Sequence, residues 1–346
     1  MPLLIDRGGT TTRWTGTGYA RVDSVQGANG AGHLELALIN NMPDAAVEDT
    51  EMQFFGLLAA AAERISIHAR LYSLPGVPRG ERTTSYLASN YSAIAELLNR
   101  RFDGVIVTGT EPKQANLRQE PYWEWLAQVM DWAEENTSST VLSCLAAHAG
   151  VLHTDDIGRN PLGNKRFGVF EHRRKGQHPL TQGTSDPIRM PHSRWNEVRE
   201  DALLDCGYKV LTKSPEAGVD LFVKEKKQSL FVHFQGHPEY GERTLLKEYR
   251  RDVKRYLRHE RDDYPLVPHG YFDAAATKLL DDFQVQAMAH RREEILEAFP
   301  EEDVVDTLQN SWRESATGVY HNWLQFMISR KAEAPVKVAM AKVGHS

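Results

Sequence analysis

The sequence predicts an α/β fold: a mostly parallel central sheet with helices on both faces, and further helices toward the C-terminal end. Three observations carry this. From His33 onward, short β-branched or apolar runs alternate with longer segments whose apolar residues recur at helical spacing. Residues 102–107 form a run apolar enough for a buried strand, ending on Thr108-Gly109. In Ser139-Thr140-Val141-Leu142-Ser143-Cys144 a strand-like run meets small residues and then a helix-like run, which reads as strand, sharp turn, helix.

In chain order, residues 1–32 are rich in Gly and Thr with little periodicity, an extension expected to be loosely held or on the surface. Residues 33–39 alternate and then turn apolar, which predicts the first strand. Residues 44–62 carry apolar positions at helical spacing behind Asp44, a residue able to cap a helix. A strand is expected at 65–74, a helix at 93–98, and a Trp-rich amphipathic helix at 122–136. Beyond about residue 160, strand-like pieces at 167–171, 208–212, 221–224 and 230–234 predict an antiparallel section. Helices are expected at 242–258, 279–298, 304–312 and 318–330, the last packing back on the body, with a tail over 335–346. Residues 33–334 are expected to form a single domain, because the candidate catalytic residues come from both halves of it.

Composition excludes several classes. There are 41 Lys and Arg against 47 Asp and Glu, a formal net charge of −6, so no general affinity for nucleic acid or membrane is implied. No apolar run is long enough to span a bilayer, and no signal-peptide pattern is present. Two cysteines, Cys144 and Cys206, stand far apart, which predicts a reduced, cytoplasmic setting. The histidines show no metal-ligand spacing, and there is neither a phosphate loop nor a dinucleotide fingerprint, so no metal and no bound cofactor are expected.

Chemistry concentrates at Cys144. A side chain at a strand-to-helix corner stands at the carboxyl end of its strand, with the next N–H groups facing whatever it attacks. A helix N-terminus beneath the sulfur favours the thiolate. Most cytosolic cysteines are nonetheless inert buried residues. Phe231-Val232-His233-Phe234-Gln235-Gly236-His237-Pro238-Glu239 changes the weighing. It is a second apolar strand, then a Gly, then His-Pro-Glu. Pro238 favours an extended His237, and in an extended chain Glu239 would share its side and fix the imidazole tautomer. Cys144, His237 and Glu239 thus supply nucleophile, base and orienter. His148 and His233 fall on the following helix and on the strand itself, and are expected to be core histidines.

These pieces and others, in order along most of the chain, resemble the homoserine O-succinyltransferase family, an offshoot of the class I glutamine amidotransferase fold. The resemblance is carried by Leu38-Ile39-Asn40-Asn41-Met42-Pro43, Asp103-Gly104-Val105-Ile106-Val107-Thr108-Gly109, Tyr122-Trp123, the Cys144 corner, Lys165 with Gly168-Val169-Phe170-Glu171-His172, Pro191-His192-Ser193-Arg194, Gln235-Gly236-His237-Pro238-Glu239-Tyr240, Arg251-Asp252-Val253 and His321-Asn322-Trp323-Leu324. It implies a Cys-His-Glu acyltransferase that takes an acyl group from acyl-CoA, succinyl preferred, onto homoserine by a ping-pong route in methionine biosynthesis. It implies Lys165, Ser193 and Arg251 as substrate-binding residues. Their bland alternatives are a solvated lysine, a serine ending a turn and half of a surface ion pair. Oxyanion donors are expected from the backbone of Leu145 and the turn at Thr110–Glu111. The position tied to acyl choice falls on Lys113 by ungapped count, or on Glu111 if the turn is shifted. Lys165-Arg166 with Arg173-Arg174-Lys175 is a candidate for the coenzyme phosphates, or equally a solvated basic face.

Three departures stand out: Ala146 where the family has Gly, Asp44-Ala45-Ala46 where it has lysines, and Lys113 itself. The expected partners are small molecules, L-homoserine and acyl-CoA, with a homodimer allowed. The rival readings are a homoserine or serine O-acetyltransferase on the same scaffold, a glutamine amidase-like cysteine hydrolase, and a silent binding protein.

Overall fold

The computed structural model describes residues 3–22 and 32–333. It opens with β1 (Leu3–Arg7), β2 (Thr10–Trp14), β3 (Tyr19–Arg21), β4 (His33–Ile39), α1 (Val47–Ala61) and β5 (Ser66–Tyr72). There follow α2 (Glu81–Asn90), α3 (Ile94–Leu98), β6 (Gly104–Val107), α4 (Trp123–Asn136), β7 (Ser139–Ser143) and α5 (Leu145–Asp155). The middle of the chain gives β8 (Asn160–Arg174), β9 (Ile188–Glu197), α6 (Glu200–Asp205), β10 (Lys209–Val210), β11 (Thr212–Ser214), β12 (Gly218–Val219), β13 (Leu221–Lys226) and β14 (Ser229–Phe234). Four helices close it: α7 (Thr244–Leu257), α8 (Ala274–Ala289), α9 (Glu301–Val305) and α10 (Arg313–Glu333).

Ten strands share one sheet, in the order β10-β13-β14-β7-β6-β4-β5-β1-β2-β3. The six from β14 to β1 run parallel, and the outer strands are added by antiparallel pairing. Strand alternation divides the core into two layers. Leu36 and Leu38 face Phe54 and Phe55 of α1 and Trp323 and Leu324 of α10. Ala37 and Ile39 face Trp123, Leu126 and Met130 of α4. Helix α10 crosses β6 closely: a Cβ on Gly104 would lie 2.5 Å from Met327 Sδ and 2.9 Å from the Trp323 ring. Trp323 Nε1 donates to Ser139 Oγ at 2.9 Å, so the last helix is also tied to the strand that delivers Cys144. A second sheet, β12-β11-β8-β9, meets the segment that follows β14, where His237 N donates to Pro191 O of β9 at 2.8 Å. No helix among the described residues is long and apolar enough to cross a membrane.

The mostly parallel sheet agrees with the sequence reading; two local expectations are corrected, and β9 and α2 are elements additional to it. Residues 3–21 are no loose extension: β1 pairs in parallel with β5, and β2 and β3 extend the sheet beyond it. Gly8 and Gly9, at φ 53° and 76°, make the two-residue hairpin turn that β1 and β2 need. Residues 230–234 belong to the parallel sheet, as β14 beside β7, rather than to an antiparallel section. Residues 188–197 form a long strand, β9, antiparallel to β8. Helix α2 has no counterpart in the sequence reading, because its Thr- and Ser-rich run has a weak apolar stripe. Residues 23–31 and the expected tail lie outside the described residues.

A charged cluster fastens β1 to the sheet. His68 Nε2 of β5 lies 2.8 Å from Asp6 Oδ1 of β1, and its Nδ1 lies 3.3 Å from Glu35 Oε1 of β4. Hydrogen bonds to Asp6 and Glu35 push His68 up to about 9. Burial acts to raise both carboxylates, but the bonds and charge from His68 prevail and hold each near about 2. His68 therefore stabilises the fold fully below its ordinary value of 6.5, and this contribution fades as pH rises through about 9. The carboxylates contribute above their ordinary range and lose that contribution as pH falls toward about 2. His68→Gln should lower the Tm by a few degrees at pH 6, and the deficit should shrink between pH 7 and pH 9. Calorimetry across that range checks it; a deficit constant with pH would leave packing, not charge, as the role of His68.

Candidate active site

β7 ends at Ser143 and α5 begins at Leu145, so Cys144 alone makes the turn, at φ 53° and ψ −111°. A non-glycine residue there is strained and persists only if its surroundings fix it. Cys144 N donates to Phe234 O of β14 at 2.8 Å, and Ala147 N donates to Cys144 O at 3.0 Å. The helix can start this close to the sheet because the residues behind the corner are small: a Cβ on Gly150 would lie 2.4 Å from Leu142 Cδ1. Ala146, at the position where the sequence departs from the resembled family, is buried in the same way. Cys144 itself is half-buried, above the first turn of α5.

The turn after β6 abuts this corner. A Cβ on Gly109 would lie 3.0 Å from Leu145 N. Thr108 Oγ1 accepts from Asn41 N at 2.8 Å, which joins the ends of β4 and β6. Farther on, the buried Glu120 carboxylate accepts from Lys113 N and Gln114 N at 2.5 and 2.6 Å and so shapes the loop. The Lys113 side chain is exposed. Glu111 is also exposed and lies 3.7 Å from Arg255 of α7.

His237 follows β14, the neighbour of β7. Its Nδ1 lies 2.9 Å from Glu239 Oε1. The contact crosses a turn rather than the extended segment expected from the sequence: Tyr240 N donates back to His237 O at 3.3 Å, with Pro238 at the second turn position that proline favours. Burial opposes a charge on His237, but attraction to Cys144 and Glu239, and hydrogen bonds to both, hold it well above its usual range. The Tyr240 ring stacks on the imidazole, with centroids 4.1 Å apart.

Tyr240 also joins this group to a second one. Its hydroxyl donates to Glu248 Oε1 at 2.5 Å. Glu248, Arg251, Asp252 and Arg255 lie on one face of α7. Ser193 Oγ donates to Glu248 Oε2. Lys165 Nζ lies 3.0 Å from Asp252 Oδ2, 3.5 Å from Glu248 Oε2 and 3.9 Å from the centre of the Phe167 ring. Arg251 Nε and Nη2 each lie 3.2 Å from Asp252 Oδ1. Burial acts to raise Glu248, but the Lys165 charge and the hydroxyls of Ser193 and Tyr240 hold it below its ordinary range. Lys165, Ser193 and Arg251 thus meet at Glu248, a residue the sequence reading passed over. The signal was the charge repeat at 248, 251, 252 and 255 along one helix.

A buried polar layer underlies the turn that carries His237. Asp220 Oδ1 accepts from Gly236 N at 2.8 Å. The Gln235 amide bonds to Val198 N, Val198 O and Val219 O, and lies 2.9 Å from His148 Nε2. Burial depresses His148 and His233 to about 3, which agrees with their reading as neutral core histidines. His172, His192 and Asp220 bring potential metal-ligand atoms within 4.8 Å of one another. The donor set does not suit a metal. Arg194 Nε donates to His192 Nδ1 at 3.2 Å, so the His192 proton stands on Nε2, facing His172 Nε2 at 3.2 Å. His172 Nδ1 in turn donates to Phe170 O at 3.1 Å. Both rings are thereby hydrogen-bonded as neutral imidazoles, while Asp220 Oδ2 is buried without a partner.

Residues 24–334 match the family model described as homoserine O-succinyltransferase. The chain belongs to the homoserine O-succinyltransferase family. A homoserine O-succinyltransferase of Rhodopseudomonas palustris is 43% identical over 291 residues, 84% of this chain and 87% of its own. One of Bradyrhizobium japonicum is 46% identical over 259 residues, 75% of this chain and 79% of its own. A solved glutamine amidotransferase of Methylobacillus flagellatus is similar over 85% of this chain and 95% of its own, at 14% identity and a TM-score of 0.46. Strands β1 to β3 precede the stretch that the homoserine O-succinyltransferase family model matches. Asp44, where the sequence departs from the family's lysines, accepts from Gly80 N at 2.8 Å and lies 3.6 Å from Arg79 Nη1.

Gly109 offers a test of the corner that leaves the side chains of Cys144, His237 and Glu239 unchanged. Its φ is not in the left-handed region, so Gly109→Ala is tolerated by the backbone and acts by crowding Leu145 N. Turnover with saturating substrates should fall by about tenfold or more, short of losing an oxyanion donor outright. The Tm should change little. Full turnover in this variant would move the oxyanion site away from Leu145.

Proposed function

We propose that the chain transfers a succinyl group from succinyl-CoA to the hydroxyl of L-homoserine through a succinyl-cysteine on Cys144. The observation that carries this is one juxtaposition. A Cys-His-Glu set at the ends of adjacent parallel strands is joined through Tyr240 to a cluster with both charges an amino acid needs. His237 takes the Cys144 thiol proton, and the sulfur attacks the thioester carbonyl. The Leu145 N–H and the turn at Thr110 stabilise the tetrahedral oxyanion. Coenzyme A leaves as the thiol, with the proton from His237. The homoserine hydroxyl then gives its proton to His237 as its oxygen attacks the acyl-cysteine, and Cys144 is released to begin again. Glu239 holds the imidazole tautomer and steadies its charge. Arg251 receives the acceptor carboxylate and Glu248 its ammonium, with Lys165 and Ser193 fixing Glu248. Succinyl-CoA is a substrate in this scheme, and no group stays bound between turnovers. Free Cys144 and Cys206 thiols suit a reducing compartment such as the cytoplasm.

Initial rates with both substrates varied should give the parallel double-reciprocal lines of a ping-pong route. Cys144→Ala should abolish transfer. Glu239→Gln should cost less than His237→Ala, and the double variant should lose no more than His237→Ala alone, because both residues serve one step. Intersecting lines, or losses that multiply, would contradict the relay.

Arg251→Lys keeps the charge but loses the planar fork. The KM for homoserine should rise about tenfold, with the KM for succinyl-CoA nearly unchanged. An unchanged homoserine KM would remove Arg251 from the acceptor site.

A further inference from the structure

Four cationic side chains, Lys165, Arg166, Arg194 and Arg251, belong to the clusters that flank Cys144 and His237, and three of them have side-chain or backbone partners within the protein. Lys165 is held by Asp252 and Glu248. Arg251 is held by Asp252. Arg194 donates to His192 Nδ1, to Asn196 O and to Ala217 O. Arg166 is the exception. Its Nε is buried without a partner, and no hydrogen bond or ion pair engages its guanidinium among the described residues. A buried N–H without an acceptor costs free energy, and a guanidinium without a counter-charge is a ready receptor for an anion.

The register of β8 and β9 says which way it faces. Arg166 pairs with Arg194, and Phe167 with Ser193. Lys165 packs on Phe167 and reaches α7, so the Lys165 side of β8 belongs to the acceptor cluster. Arg166 lies on the other side with Arg194 and His192. His237 N donates to Pro191 O of β9 at 2.8 Å, so the β9 segment that carries His192 and Arg194 runs beside the His237 turn. The acidic groups facing Arg194 are Glu197 and Asp220. Asp220 is engaged by Gly236 N. The basic stretch read from the sequence is therefore divided: Arg174 pairs with Asp186 and Lys175 with Glu200, while Arg166 alone faces the nucleophile's side.

We infer that Arg166 receives the distal carboxylate of the succinyl donor, and so sets the preference for succinyl over acetyl. This rests on the acyl transfer proposed above and names its donor determinant. An acetyl group ends in a methyl and gives a cation nothing to bind. A succinyl group on Cys144 presents a carboxylate to the side where Arg166 stands, and a planar fork accepts it through two N–H bonds. Lys113, the position counted from the sequence, is exposed and holds the loop only through its backbone. A coenzyme phosphate has the same charge chemistry as this carboxylate, and the experiment separates the two.

The measurement is kcat/KM for succinyl-CoA and acetyl-CoA on the parent, Arg166→Gln, Arg166→Lys and Lys113→Gln, repeated with a succinyl thioester that carries no phosphate. The succinyl-to-acetyl ratio should fall at least about tenfold in Arg166→Gln, the scale of one charge-assisted contact. It should be partly restored in Arg166→Lys and stay within about twofold of the parent in Lys113→Gln. The Arg166→Gln loss should persist with the phosphate-free thioester. Retained acetyl transfer in Arg166→Gln reports that the fold is intact. Equal losses with both donors, a ratio that moves only in Lys113→Gln, or a loss that vanishes with the phosphate-free thioester each overturn the assignment. A parent that acylates homoserine from neither donor instead removes the transferase reading beneath it.

Discussion

The hydrogen bond from Cys144 N to Phe234 O is the contact on which the site depends. It closes the strained corner at φ 53° and ties the end of β7 to the end of β14. The residue that carries the sulfur is thereby fixed to the strand whose next turn carries His237. Parallel pairing delivers both ends to one edge of the sheet, where ligands of open α/β sheets bind. The strain is borne by what surrounds it: small residues along α5, β14 alongside, and α10 clamped over β6 and bonded to Ser139. The last helix thus contributes to the corner without touching it.

Beneath His237 the protein keeps a layer of polar but largely neutral groups. Asp220 and Gln235 hold the backbone of the base-bearing turn, and the two neutral histidines fix the path of β9. Charge is placed instead at the surface of the site, on α7. Glu248 is the hinge of that arrangement: it accepts hydroxyls from Ser193 and Tyr240, attracts Lys165 and neighbours Arg251. Tyr240 is stacked on His237 and bonded to Glu248, which couples the imidazole to the charged cluster on α7. Glu239 Oε2 and the Tyr320 hydroxyl are both buried without partners, and the Tyr320 ring of α10 stacks on Phe234 of β14 with centroids 6.1 Å apart.

Much of the fold was legible because its signals are local. Buried parallel strands are continuous apolar runs, and α4, α7 and α10 carry apolar faces. The Cys144 corner was legible because a second apolar strand running into Gly236-His237-Pro238-Glu239 offered a base and an orienter to a cysteine that by itself reads as an inert core residue. The contact between His237 and Glu239 was expected, but through the wrong local geometry, since Pro238 acts on the turn after it as well as on the residue before it. The N-terminal hairpin was missed because Gly8-Gly9 between two short runs was taken as composition rather than as a turn. Glu248 and Arg166 were not legible as site residues. A carboxylate on a charged helix and an arginine in a basic stretch look alike whether solvated or functional. Only register and partners separate them.

The account stands on Cys144 carrying the acyl group between the two half-reactions. The direct measurement is mass spectrometry of the protein quenched in acid after brief mixing with succinyl-CoA and no homoserine, followed by peptide mapping. The account predicts the mass of one succinyl group on the peptide that contains Cys144, lost when homoserine is added before the quench. An unmodified protein that nonetheless turns over both substrates together, or an adduct on any other residue, would contradict it.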